Sequence, residues 1–154
     1  EGHIIELVKG IYPNTHYTAV DIDKQLLKEA EKRGANETHL IQQEPIKLSY
    51  EDNSFDLILM MEVLEHLHKP LEALKEVWRL SRKRFIASVP NEPWYRIGQF
   101  IALQNIKDFG NTPGHINHWS KKKFIKFLSH YFEAEDIYTP GLWTMILTNK
   151  IDKS

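Results

Sequence analysis

The 154-residue chain contains no cysteine. That absence excludes disulfides, thiolate nucleophiles, Cys-ligated zinc and Cys-ligated iron–sulfur clusters. An excess of one charge is also missing: 20 Lys and Arg face 21 Asp and Glu. A broadly basic nucleic-acid coat is thereby excluded, though a local basic patch is not. Nucleic acid is a possible partner that the net charge does not indicate. The longest apolar run near the centre, residues 57–61, is far shorter than the ~20 residues of a bilayer span. The first residues, Glu1 to Glu6, lack the basic-then-apolar order of a signal peptide. The expectation is a cytoplasmic chain without a membrane partner. There is no internal repeat, low-complexity tract or Gly/Ser- or Pro-rich linker, so residues 1–154 read as one domain. Hydrophobic residues at 42% and charged residues at 27% are close to a soluble globular average, which argues for a real core.

Ile4, Ile5, Leu7, Val8 and Ile11 sit at helical spacing, and Pro13-Asn14 ends that helix. Residues 17–22 are short, apolar and rich in β-formers, which predicts a strand. Asp23 suits the N-cap of a helix burying Leu26, Leu27 and Ala30 and stopped by Gly34. Residues 38–41 predict another strand. Residues 55–61 are nearly all apolar, as for a strand covered on both faces. Pro70 fits position N1 of a helix turning Leu71, Leu74, Val77 and Trp78 inward. A strand over 84–89 follows, stopped by Pro90. Residues 94–111 are partly helical. Ser120 can cap a helix bearing Phe124, Ile125, Phe127, Leu128 and Tyr131. Residues 135–139 and 142–148 flank Pro140-Gly141 and predict a terminal hairpin.

This alternation predicts an α/β fold: a Rossmann-like three-layer sandwich, mostly parallel, with a C-terminal antiparallel hairpin. The first predicted element is a helix. A doubly wound fold needs a strand before it, so a first strand is expected upstream of the given sequence.

Ligands of such sheets bind beyond the carboxyl ends of the strands. Asp21 ends one strand; its carboxylate can accept both hydroxyls of a ribose or cap the next helix. Glu44 follows the next strand and could accept an adenine amine. Met60, Met61 and Glu62 follow the third predicted strand, where the methionines suit either the core or a ligand. Gly2 opens the first helix, where a ligand can approach the main chain closely. Glu62, Glu65 and His66 lie at i, i+3 and i+4, on one face if helical. Two carboxylates and an imidazole can hold a divalent ion, oxygen favouring Mg²⁺ or Mn²⁺ and nitrogen favouring Zn²⁺ or Fe²⁺. His115 or His118 could add a ligand. Lys121, Lys122 and Lys123 read as a solvated face.

Residues 50–67, Tyr-Glu-Asp-Asn-Ser-Phe-Asp-Leu-Ile-Leu-Met-Met-Glu-Val-Leu-Glu-His-Leu, resemble the fourth motif of class I S-adenosylmethionine-dependent methyltransferases of the type 11 and ubiquinone-biosynthesis-like subgroup. Val20-Asp21-Ile22-Asp23 resembles the second motif, Gly114 to Ser120 the segment before the last major helix, and Trp143 to Leu147 the antiparallel strand. The resemblance implies S-adenosyl-L-methionine as cofactor and methyl transfer to an O, N or C nucleophile, most simply on a small molecule. It makes Gly2 the last glycine of the cofactor loop. Asp21 becomes the ribose ligand, with Ile22 against the adenine. Glu44 stands where the family usually has Asp. Pro45 departs from the family's backbone donor, since proline has none. The Glu-x-x-Glu-His pattern resembles metal-dependent members, which makes Glu62, Glu65, His66 and His115 candidate ligands of Mg²⁺ or Mn²⁺. In other members the histidine corresponding to His66 is a base or lines the pocket. Trp94, Tyr95, Phe100 and Trp119 fall in the family's substrate-lid region. Two other functions remain open at this stage. One is a non-catalytic methyltransferase-like binding domain. The other is a nicotinamide-dependent oxidoreductase, whose ribose Asp21 would also suit.

Overall fold

In the computed structural model, residues 2–41, 46–105 and 108–153 are described. The chain divides into two units, residues 1–44 and 45–154.

The first unit holds α1 (His3–Ile11), β1 (Thr18–Asp21), α2 (Lys24–Lys32) and β2 (Glu37–Leu40). β1 and β2 pair in parallel, Thr18 opposite Glu37 and Asp21 opposite Leu40. Asp23 caps α2 as its sequence predicts: its side chain accepts the Gln25 N–H at 2.7 Å. Leu27 and Ala30 are the buried residues of α2. Gly34, at φ +106°, ends the helix in a conformation that side chains disfavour. α1 forms where its periodicity predicts, yet none of its residues is fully buried.

The second unit holds β3 (Phe55–Met61), a 3-10 turn (Leu64–His66), α3 (Pro70–Leu80), β4 (Ser81–Pro90), α4 (Trp94–Ile101), α5 (Lys121–Leu128), β5 (Phe132–Tyr138) and β6 (Trp143–Lys150). Its sheet has the order β3-β4-β6-β5. β3 and β4 are parallel, and β6 runs antiparallel to both β4 and β5. The predicted hairpin is therefore present. Its second strand is the one seated inside the sheet.

The core joins Leu74 and Val77 of α3, Phe85, Ala87 and Val89 of β4, Phe124 and Leu128 of α5, Phe132 and Ile146. Each such side chain stabilises by roughly 1.5–3 kcal/mol when fully buried. Phe85 and Phe132 stack obliquely, ring centres 5.1 Å apart. Arg79 fastens the segment before β3, donating to the carbonyls of Tyr50 and Leu48 at 2.7 and 3.0 Å while Glu76 grips the same guanidinium.

Three expectations need correction. β3 is not covered on both faces. Ile58 and Met60 pack on the core, whereas Leu57 and Leu59, on the opposite face of the strand, stay 44% and 38% exposed. Leu71 does not point inward: the buried stripe of α3 is Ala73, Leu74, Val77 and Leu80, and Leu71 sits about 120° around the helix from Val77. β4 begins at Ser81 rather than residue 84, directly after α3.

Candidate functional site

In the first unit, Asp21 closes β1 with one carboxylate oxygen, Oδ1, accepting the Asp23 N–H at 2.9 Å. Oδ2 has no hydrogen bond among the described residues. The adjoining Ile22 is 76% exposed. A carboxylate with an open oxygen beside an exposed apolar side chain has the chemistry to hold a ribose and cover a flat base. Gly2 precedes α1 in the left-handed region, φ +72°. A Cβ there would fall 2.8 Å from the Ala30 Cα, so close approach to α2 already demands glycine. Glu44 and Pro45 lie outside the described residues.

In the second unit, the chain leaves β3 through Glu62, whose φ of +54° is uncommon for a side-chain-bearing residue. The expectation of Glu62, Glu65 and His66 on one helical face is therefore corrected: the 3-10 turn starts only at Leu64. The left-handed bend sends the Glu62 carboxylate toward β4 and β6. It accepts from Ser88 Oγ at 2.6 Å and from Trp143 Nε1 at 2.7 Å.

Glu65 is 1% exposed, and among the described residues neither of its carboxylate oxygens has a hydrogen-bond partner. Burial, assisted by the Glu62 charge, pushes its acid up to about 8. A buried carboxylate without donors is better held as the neutral acid. His66 is exposed, and its Nδ1 lies 2.9 Å from the Gly114 carbonyl. That oxygen can only accept, so Nδ1 carries the proton and Nε2 presents its lone pair. The His115 ring meets His66 edge-on at 4.8 Å and stacks on Tyr95 at 5.7 Å. Burial, followed by the neighbouring His66 and His118, holds His115 below the usual imidazole range. Tyr95 in turn packs edge-on against Trp143.

Glu65, His66 and His115 each offer a ligand atom, all within 4.8 Å of one another. Ligands about 2.1 Å from one ion lie at most about 4.2 Å apart. The spread exceeds that limit, so holding one ion would require these side chains to draw together. Glu62 is not in this group; its oxygens are held by Ser88 and Trp143. Met60 packs on the core, and Met61 is half-buried at the end of β3.

What places this turn is a distant segment. The N–H groups of Ile116 and Asn117 both donate to the Glu65 carbonyl, at 2.9 and 3.0 Å. The Asn117 amide donates to the Leu64 and Leu67 carbonyls at 3.2 and 2.6 Å. Gly114, at φ +88°, brings the backbone against the imidazole; a Cβ would stand 3.3 Å from His66 Nδ1. Sequence reasoning singled out His66, His115 and, in the lid region, Tyr95, but missed Asn117, Ser88 and Trp143 as parts of the site. The available signal was the run Gly114-His115-Ile116-Asn117, whose Gly and Asn suit a tight loop.

A family model described as a methyltransferase domain matches residues 1–86. No curated protein matches the chain in sequence. Among solved structures, an S-adenosylmethionine-dependent methyltransferase of Aquifex aeolicus shares 15% identity at a TM-score of 0.69, covering 96% of this chain and 76% of its own. One from Methanosarcina mazei shares 17% identity at 0.66, covering 94% and 86%. A cyclase, SpnF, shares 11% identity at 0.64, covering 94% and 69%. These likenesses establish the Rossmann-like fold; the cyclase shows that it also hosts other reactions.

Proposed function

The chain belongs to the methyltransferase-domain family, and from that premise we propose that it moves a methyl group from S-adenosylmethionine to an O, N or C nucleophile of a small-molecule acceptor. When bound, the sulfonium supplies an activated methyl group. The chain's own residues then bind, orient and remove a proton. Asp21 would accept the ribose hydroxyls with its open oxygen, and Ile22 would cover the adenine. Holding donor and acceptor in line can carry most of the rate. His66 would take the acceptor's proton at Nε2. The observation carrying this role is the Nδ1 contact to the Gly114 carbonyl at 2.9 Å, which fixes the tautomer. Glu44, Pro45, Gly2, Met60 and Met61 keep the cofactor contacts that the resemblance implies as proposals. For Gly2 the packing on Ala30 supplies a competing explanation.

Titration calorimetry of the chain with S-adenosylhomocysteine tests the cofactor. Heat of binding that Asp21→Ala weakens supports the proposal; absence of heat, or preference for NAD, overturns it in favour of the binding-domain or oxidoreductase reading. With an acceptor in hand, His66→Ala should lower kcat by about 10²–10⁴-fold while leaving homocysteine-form binding unchanged.

A divalent ion is a second reading of the same residues, favoured by the cluster of Glu65, His66 and His115. His66 Nε2 would then ligate the ion rather than take a proton. The ion would polarise the acceptor oxygen as a Lewis acid. One carboxylate and two imidazoles admit Mn²⁺ or Zn²⁺ more readily than Mg²⁺. Calorimetry with Mn²⁺ alone decides: binding abolished by Glu65→Ala supports the ion, and no binding leaves His66 as the base.

A further inference from the structure

Two neighbouring elements of the second unit defy their own local physics. α4 is turned inside out. Its outward side carries Trp94, Ile97, Phe100 and Ile101, all exposed, and the chain beyond adds Leu103 and Phe109. Its inward side carries Tyr95, Gly98 and Gln99, and the buried Oε1 of Gln99 has no partner among the described residues. α5 opens with Lys121, Lys122 and Lys123, all exposed, where the helix dipole disfavours cations. The two helix starts are pinned together. The Glu92 N–H donates to the Trp119 carbonyl at 2.9 Å, and the Lys121 N–H to Asn91 Oδ1 at 3.3 Å. An apolar ridge and a cationic cluster thus stand side by side, each at a local cost.

We propose that this face docks on an anionic lipid bilayer, the apolar side chains entering the headgroup boundary and the three lysines meeting the negative surface. An apolar helix face flanked by cations is the composition of an interfacial helix. Charge complementarity selects the occupant: the cations need a negative partner and the ridge needs an apolar one. The recess on this face, lined by Pro93, Arg96, Ile97, Phe100 and Phe109, does not include Trp94, Ile101 or Leu103. A small ligand filling it would leave those three in water. The proposal replaces the expectation of no membrane partner, which rested on the lack of a spanning segment. No helix among the described residues is long and apolar enough to cross a membrane, and surface contact requires none. It is independent of the methyl-transfer reading.

The experiment is co-sedimentation of the whole chain with phosphatidylcholine vesicles, with and without roughly one-third phosphatidylserine. Two double variants test the two components. Ile101→Asp with Leu103→Asn alters residues 74% and 77% exposed. Leu103 stands at φ +55°, where asparagine is the better residue, so folding is preserved. Lys122→Glu with Lys123→Glu reverses the charge. Wild type is expected to partition onto the anionic vesicles only. The charge variant should bind about 25-fold or more weakly, a factor near five per lysine, and the apolar variant at least about 10-fold more weakly. Equal binding to both vesicles, no binding, or variants matching wild type would overturn the proposal. So would self-association in vesicle-free solution that the apolar variant abolishes, which would assign the face to a second copy.

Discussion

Asp21 and Glu65 both follow a parallel strand, and their surroundings differ in almost every respect. Asp21 has a main-chain donor two residues away and an oxygen left open. Glu65 is buried with no donor on either oxygen among the described residues, beside a second carboxylate that Ser88 and Trp143 hold in place. One carboxylate is arranged by its immediate neighbours in sequence. The other is arranged by a distant segment, the N–H groups of Ile116 and Asn117 holding its carbonyl. The first suits a neutral polyhydroxyl ligand. The second is better held as the neutral acid.

The largest effect that sharpens this contrast is electrostatic. The folded acid of Glu65, near 8, lies above the ordinary value of 4.5. Between those values the native state binds more protons than the unfolded chain. Stability is therefore greatest below about pH 4.5 for this group, and is lost as pH rises toward 8. Glu65→Gln should remove that slope and stabilise the chain by about 3–5 kcal/mol above pH 8. Denaturant melts in chelator at pH 5, 7 and 9 check it. A parallel pH dependence in variant and wild type would place the carboxylate in water.

Next is the distant clamp. Asn117→Ala strips the Leu64 and Leu67 carbonyls of their donor and should cost about 2–3 kcal/mol. It should also release His66, visible as faster amide exchange through residues 64–67. Unchanged exchange there would mean that the turn holds itself, as the Asp21 turn does. A smaller effect is expected at Asp21 itself. Asp21→Asn keeps an acceptor for the Asp23 N–H and should weaken S-adenosylhomocysteine by about tenfold with little change in melting. The smallest effect belongs to Leu71→Ser, within about 0.5 kcal/mol, because that side chain faces solvent. A loss of several kcal/mol would restore Leu71 to the core.

Legibility in the sequence follows the same division. The extents of α1, β1, α2 and β3 are written in local periodicity, capping and turn residues, as is the existence of the β5–β6 hairpin, although β5 begins at Phe132 rather than residue 135. Gly34 stops a helix and Asp23 starts one by rules needing two or three neighbours. The left-handed bend at Glu62 is different. Nothing in Met-Met-Glu-Val marks it, and it moves a carboxylate from one expected face to another. The outward turning of α4 was equally hidden, since periodicity reports an apolar stripe but not which way it faces. For the site, His66 and His115 were legible as residue types. Their meeting depends on Asn117, whose role appears only when residues 50 and more apart are in contact.

The strand order β3-β4-β6-β5 has a consequence for how the molecule is made. β5 leaves the ribosome before β6, yet among the described strands it pairs only with β6. Until Trp143 to Lys150 has been synthesised, one edge of β4 and the whole of β5 have no partner, and at about 5–20 residues per second that interval is short. A translation arrest within Trp143 to Lys150 would leave open the β4 edge that β6 later covers, and an exposed edge of that kind invites aggregation.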